Sequence, residues 1–334
     1  MKQQDAAVAK ELIQQALWAT KSQTIAGMYA RLRGDDCYFK DGRSRTKLAP
    51  YTETGRLRSG EDDWWPEPMT NQQNISKKVA KLDPLYEVRN IVIPTPGYVF
   101  IEVDLKQAEA LATAAYANDW TKVERLLHGD EHTELASRIY DIPKQAVNKE
   151  THRQLGKMGN HSLNYGSGWQ TFLEAVNKDA DITGLAIDAK MAKKTIAAWQ
   201  AVNPKTVHWW REVKQAVAAC GYLTNAFGRK RIFLNQSTAG NDIVAYLPQS
   251  TIADLLNTAL VKLFALEAEY GFRILLQIHD AILVEAPVAK WMAVAQVMQQ
   301  TMLMPMSINQ RSLTVPVDIS MSAQSWGKMK EVKL

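Results

Sequence analysis

Residues 273–286, RILLQIHDAILVEA, are two apolar runs that meet at His279-Asp280. Runs of this length, rich in Ile, Leu and Val and broken once by a polar pair, read as a β-hairpin with buried arms and a polar tip. A second short run crowded with β-branched and aromatic residues, YVFIEVD at 98–104, reads as a strand that ends on Asp104. Each apolar run therefore stops at an acid. An isolated Asp in such a place is most often a cap or a turn residue. Two of them on adjacent strands would instead make a hard-oxygen site for Mg²⁺. Spacing along the chain does not decide between these readings.

Most of the remainder has helical periodicity. Residues 5–31 read as helix, with apolar residues at Leu12, Ile13, Leu17, Ile25 and Met28. Residues 34–75 are irregular, with turn signals at Asp41-Gly42 and Ser59-Gly60. One helical stretch runs from Gln107 to Leu127 and another covers 131–140. Helical patterns then dominate from 143 to 270, interrupted by glycine-rich connections at 166–168 and 221–228. A helix near 288–304 and a strand near 313–320 end the chain, and no internal repeat is visible. Hairpin-type strands scattered among helices predict an α+β fold rather than a regular βαβ series.

Charge narrows the partners. The chain has 40 Lys and Arg against 35 Asp and Glu, and residues 21–60 alone hold nine of the cations and four of the acids. The whole positive excess thus lies in one segment, which suits either a solvated basic face or a polyanionic partner. Cys37 and Cys220 are too few for a disulfide framework or a four-ligand zinc site. The N-terminus has no apolar signal core and no 18-residue apolar run exists, so the expectation is a cytoplasmic protein that does not enter a membrane.

Two further stretches bear chemistry. In THRQLGKMGNHSLNYG, residues 151–166, Arg153, Lys157 and His161 fall four apart and share one helix face. Three potential cations on one stripe repel unless an anion neutralises them, and a triphosphate would do so. Gly156 and Gly159 each cost about 1 kcal/mol in a helix relative to Ala, which points to close approach by another surface or to a local irregularity. In TETGRLRS, Arg56 stands beside Thr52 and Thr54, a set suited to phosphate-backbone contacts.

In order along the chain, TETGRL, NQQNI (71–75), VDLKQAE (103–109), HTELAS (132–137), RQLGKMGNHSLNYG (153–166), GYLTNAFGRKR (221–231), PQSTIAD (248–254) and IHDAILVEAP (278–287) resemble the family A DNA polymerases. The likeness runs from about Ile13 to Trp326. It implies a right-hand polymerase, with an antiparallel palm sheet and helical fingers. Asp104 and Asp280, with the Leu105 carbonyl, would hold two Mg²⁺ ions, with Mn²⁺ able to substitute. Arg153, Lys157 and His132 would grip the triphosphate, and Lys157 would protonate pyrophosphate. Gln107, His161 and Tyr165 would line the nucleotide site. Glu109 would crowd a ribose 2′-hydroxyl, which makes deoxynucleoside triphosphates the substrates. Arg56, Thr54, Asn74, Gln249, His279 and Arg229 would contact the primed DNA template.

The sequence also departs from the family. His161 stands where an aromatic Phe or Tyr is usual, Ala281 replaces a glutamate after His-Asp, and Ala108, Ala110 and Leu111 replace larger groups and an arginine. Asn241 and Ala245 stand where Arg and Asn contacts upstream of Gln249 are usual. The resemblance divides the chain into a thumb remnant (1–34), a first palm part (35–110), fingers with connecting helices (111–235) and a second palm part (236–334). So short a thumb implies low processivity and no built-in exonuclease, or a separate chain supplying thumb, clamp or proofreading. Two alternatives stand beside this reading: a non-catalytic subunit that binds primed DNA, and a related single-subunit RNA polymerase, against which Glu109 argues.

Overall fold

A computed structural model describes residues 43–60, 71–75, 87–178 and 180–334. The helix expected over 5–31, Cys37 and the first part of the basic segment lie outside them. Strands β1 (Lys47–Ala49) and β2 (Arg58–Gly60) pair antiparallel around the TETGR turn, and β3 (Tyr98–Leu105) follows. Helices α1 (Ala108–Tyr116), α2 (Trp120–His128), α3 (Glu131–Tyr140), α4 (His152–Leu163), α5 (Trp169–Lys178), α6 (Ala180–Thr183), α7 (Ala189–Val202) and α8 (Pro204–Cys220) come next. A small hairpin, β4 (Tyr222–Thr224) and β5 (Lys230–Ile232), leads to α9 (Gln236–Ala239) and the long α10 (Asp242–Tyr270). The chain closes with β6 (Arg273–Ile278), β7 (Ala281–Pro287), α11 (Trp291–Met302), β8 (Met306–Ile308), β9 (Arg311–Leu313), β10 (Val317–Ser322) and β11 (Lys330–Glu331).

The main sheet has the order β11-β10-β3-β7-β6 and is antiparallel throughout. Alternation along β3 gives it two faces. Val99, Ile101, Val103 and Leu105 enter the largest apolar cluster, against Ile252 and Leu256 of α10 and Val294 and Met298 of α11. Phe100 faces the other way, with Leu276, Ile278, Leu283 and Trp326. Glu102 and Asp104 share the Phe100 face by the same alternation. This is the mixed helical and antiparallel α+β architecture that the pattern predicts.

Two local features differ from the pattern. The stretch 107–127 is two helices, because Asn118 takes a left-handed φ of 50° and the Asp119 carboxylate caps α2 by accepting the Lys122 N–H at 3.1 Å. Asn309 then satisfies the last carbonyls of α1, its amide donating to Ala115 O and Tyr116 O at 3.0 and 3.1 Å. The β8–β9 hairpin has no clear sequence signal. Its two turn residues, Asn309 and Gln310, both have positive φ, as a type I′ turn demands, and Gln is seldom chosen for that place.

The helices of the middle segment share their own core, in which Leu135 and Ile139 of α3 meet Leu155 and Leu163 of α4 and Trp199 of α7. The close approach expected at the α4 glycines is real. A Cβ on Gly156 would overlap the main-chain oxygen of His132, and one on Gly159 would come within 3.0 Å of Leu135 Cδ2. Cys220 is free and exposed. Among the described residues no helix is long and apolar enough to cross a membrane.

Candidate active site

Asp104 and Asp280 come together at one end of the main sheet. Asp104 pairs in register with Ala281 across β3 and β7, and the Leu105 N–H donates to Asp280 O at 3.0 Å. His279 and Asp280 form the tip between β6 and β7, with His279 at a left-handed φ of 50°. The tight tip turns Asp280 toward the neighbouring strand. On the other flank of Asp104, Asp318 of β10 stands directly opposite and is ion-paired with Lys106. Ala281 is buried beside Asp104, so the missing glutamate leaves a small apolar contact there.

A cleft of about 690 Å³ opens over this edge. Asn74, Asp104, Leu105, Gln107, Glu109, His279 and Asp280 line it. His132, Asn160 and His161 line it as well, and the two imidazole rings lie 5.6 Å apart. Nine of the residues singled out from the sequence thus share one cavity.

The others reach it indirectly or not at all. Arg56 and the Tyr165 hydroxyl both donate to the Glu109 carboxylate. Arg153 makes a bidentate pair with Asp130, Nε to Oδ2 at 2.8 Å and Nη2 to Oδ1 at 3.1 Å. Lys157 lies exposed on α4 between Arg153 and His161. Arg229 is bound to Asp254 at 2.7 Å, and its guanidinium fills the space where a Gly55 Cβ would meet it at 2.6 Å. Gly55, at φ +79°, is therefore required by both backbone and contact. Thr54 in the same turn and Gln249 on α10 are half-buried outside the cleft.

Electrostatics divide the cleft. Burial, with the negative charges of Glu109 and Asp104 and against the Arg56 cation, pushes the Asp280 carboxyl up to about 6. Burial and then the positive neighbours His161 and Arg153 push His132 down to about 4, so its imidazole is neutral at pH 7. Burial and the Glu109 charge raise the Tyr165 hydroxyl well above its ordinary value. Burial alone would raise the Asp130 carboxyl, but Arg153 and Thr133 hold it well below the usual range.

Among the described residues no group of three or more His, Cys, Asp or Glu side chains forms a metal cage. The donors present are two carboxylates, Asp104 at the end of β3 and Asp280 in the β6–β7 turn, hard oxygens of which the second is pushed up chiefly by burial and then by Glu109. Such a pair fits a divalent cation that keeps water ligands and takes further oxygens from a bound substrate.

Sequence reasoning did not single out Asp130, Glu102, Lys122 or Asp318. Glu102 was readable, since it precedes Asp104 by two and must share its face. It is buried and accepts the Trp326 indole N–H at 2.9 Å. Asp130 had a signal too, an acid just before HTELAS in an N-cap position, where it accepts the N–H groups of His132 and Thr133 at 3.2 Å. Lys122 had none.

The model of DNA polymerase family A matches residues 5–328. The chain is 27% identical over 304 residues to the thermostable DNA polymerase I of Thermus aquaticus, covering 87% of this chain and 33% of that protein. It is 24% identical over 339 residues to DNA polymerase I A, chloroplastic/mitochondrial, of Arabidopsis thaliana, covering 90% of this chain and 30% of the relative. The chain thus spans about a third of the length of these relatives. Among solved structures, the POL domain of Pol1 from M. smegmatis in complex with DNA primer-template and dNTP matches with a TM-score of 0.74 at 22% identity, covering 92% of this chain and 52% of that one. A match across nearly every residue, on a fold that brings Asp104, Asp280, His132 and His161 into one cleft, makes this chain a member of DNA polymerase family A.

Proposed function

We propose that the chain is a template-directed DNA polymerase that adds deoxynucleoside triphosphates to a primer 3′-end. The observation that carries the reading is that Asp104, at the end of β3, and Asp280, in the turn next to its register partner Ala281, line one cleft with His132 and His161. Asp104, Asp280 and the Leu105 carbonyl would hold two Mg²⁺ ions, or Mn²⁺ in their place. When bound, the ions supply Lewis-acid charge at the attacking 3′-oxygen and the leaving pyrophosphate.

The protein's own groups do the rest. Arg153, Lys157, His132 and Gln107 bind and orient the triphosphate, and Lys157 carries the proton that pyrophosphate takes up. Neutral His132 donates a hydrogen bond without adding charge. Arg153 reaches the phosphates by exchanging Asp130 for them. His161 lies against the sugar and Tyr165 beside the templating base. Glu109 excludes a 2′-hydroxyl while it holds Arg56 and Tyr165. Glu109→Ala should therefore raise ribonucleotide over deoxynucleotide incorporation by about tenfold or more. Glu109→Gln keeps the bulk and should retain the discrimination. Single-nucleotide incorporation kinetics for the two sugars check this, and equal ratios in both variants would remove the assignment.

Arg56, Thr54, Asn74, Gln249, His279 and Arg229 serve the primer and template. Since Arg56 and Arg229 already bind Glu109 and Asp254, phosphate contacts compete with internal pairs and the grip on duplex is weak. This supports a distributive enzyme, acting alone or with a partner chain that supplies thumb, clamp or exonuclease. Primer extension with a processivity trap tests the function. We expect short products whose yield falls steeply between about 50 and 200 mM salt. A chain that binds primed DNA and never extends it, with or without host extract, would favour the non-catalytic binding subunit instead.

A further inference from the structure

Lys122 is a buried lysine with no evident structural task. It lies on α2 with 2% of its surface exposed, and its Nζ has no hydrogen-bond partner among the described residues. The ammonium sits over the Trp199 ring of α7, 5.1 Å from the centroid. Its two nearest carboxylates are occupied elsewhere. Glu131 of α3 accepts Arg125 Nε at 2.5 Å, and Asp119 accepts the Lys122 main-chain N–H to cap the helix. A Leu or Met would fill this place without the cost of stripping water from a charge.

What faces Lys122 is the cleft. The residue belongs to its wall together with Leu126, Glu131, His132, Asn160 and His161, and Asn160 donates to Glu131 O at 2.9 Å. Gln107 is tied to the same patch, its amide donating to Leu126 O at 3.1 Å. Asp104, Glu109 and Asp280 line the same cavity. One lining thus brings carboxylates, a buried ammonium and two imidazoles together. A divalent metal complexed to a polyphosphate has the complementary charge distribution.

We propose that Lys122 is a positioning charge for the diphosphate end of a bound nucleotide and for free pyrophosphate, acting from beneath the His132 and Gln107 wall. The inference rests on the polymerase reading of the same cleft and adds to it a cation outside the α4 stripe. In a low-dielectric surround one charge reaches phosphate several ångströms away with little screening. Burial, and then Arg125, lower the Lys122 ammonium to about 8 against the opposing pull of Glu131 and Asp119. The phosphate affinity it supplies should fade over a range where an ordinary lysine still holds its proton. His132 titrates well below that range.

The test is calorimetric binding of magnesium pyrophosphate to the full chain. Lys122→Met should bind about tenfold more weakly and melt no lower than wild type. Wild-type affinity should fall more steeply than that of K122M between about pH 7.5 and 9.5. Lys122→Arg, which cannot deprotonate there, should bind without the extra fall. Equal affinity in wild type and K122M, parallel pH profiles, or no pyrophosphate binding by wild type overturns the proposal. If K122M does not fold, the comparison of wild type with K122R decides alone. Primer extension run alongside separates the two readings. Extension with unchanged pyrophosphate binding in K122M sinks the Lys122 role only, whereas Lys122-dependent binding without extension sinks polymerase activity only.

Discussion

Asp280→Asn should raise the melting temperature of the metal-free protein at pH 7.5 while cutting primer extension by at least ~10²–10³. Both effects have one cause. The Asp280 carboxyl is pushed up to about 6 by burial and by facing Glu109 and Asp104, so holding it ionised costs folding energy above that pH. A carboxyl raised in the folded state favours folding at low pH, and that advantage is lost as pH rises from about 4 through 6. Asn has no such charge, so the variant should gain roughly 2–3 kcal/mol at pH 7.5 and close to nothing at pH 4. Thermal melts in chelator at the two pH values measure this. A lower melting temperature at pH 7.5, or extension at the wild-type rate, would remove Asp280 from its assigned place.

Gly156→Ala has the next largest expected effect, and it acts on backbone. The new methyl would overlap the His132 main-chain oxygen, which cannot rotate away as a side chain can, so α3 and α4 must part. Overpacking of this kind costs about 1–3 kcal/mol or more, against about 1 kcal/mol gained from Ala in a helix. With a backbone overlap the cost lies at the upper end of that range, so the net loss should be about 2 kcal/mol in urea unfolding, with a raised KM for deoxynucleotides because His132 moves with α3. Gly159→Ala is the control. Its Cβ meets only Leu135 Cδ2 at 3.0 Å and Thr195 Cγ2 at 3.3 Å, side-chain tips that can yield, so its stability should stay within about 1 kcal/mol of wild type. Equal losses in the two variants would show that the helix contact is not what Gly156 serves.

Features that depend on near neighbours were legible before the fold was known. The His279-Asp280 hairpin and the β3 strand rest on apolar runs of a few residues, and the α4 stripe on cations four apart. The α4 glycines announced a close contact, though not that it would be the His132 carbonyl. What could not be read is which distant groups meet. Nothing near Asp104 in the sequence shows that Asp280 lies one strand away. The same holds for Arg56 with Glu109, Arg153 with Asp130 and Arg229 with Asp254. Each pair joins charges from separate elements, and a list of cations suggests free ligands for phosphate where the folded chain has already matched them. Lys122 was invisible for a related reason, since on α2 it resembles any surface lysine.

β3 lies between β7 and β10, and both neighbours are encoded near the end of the described chain. A ribosome working from the N-terminus releases YVFIEVDL long before either partner exists. Until they are made, a largely buried strand of the sheet has two bare edges, the condition under which strands pair with the wrong chain. The event that covers those edges also brings Asp280 beside Asp104. Assembly of the carboxylate pair and escape from aggregation thus share one moment, long after β3 itself is made, which gives the nascent chain a reason to be shielded until β7 and β10 emerge.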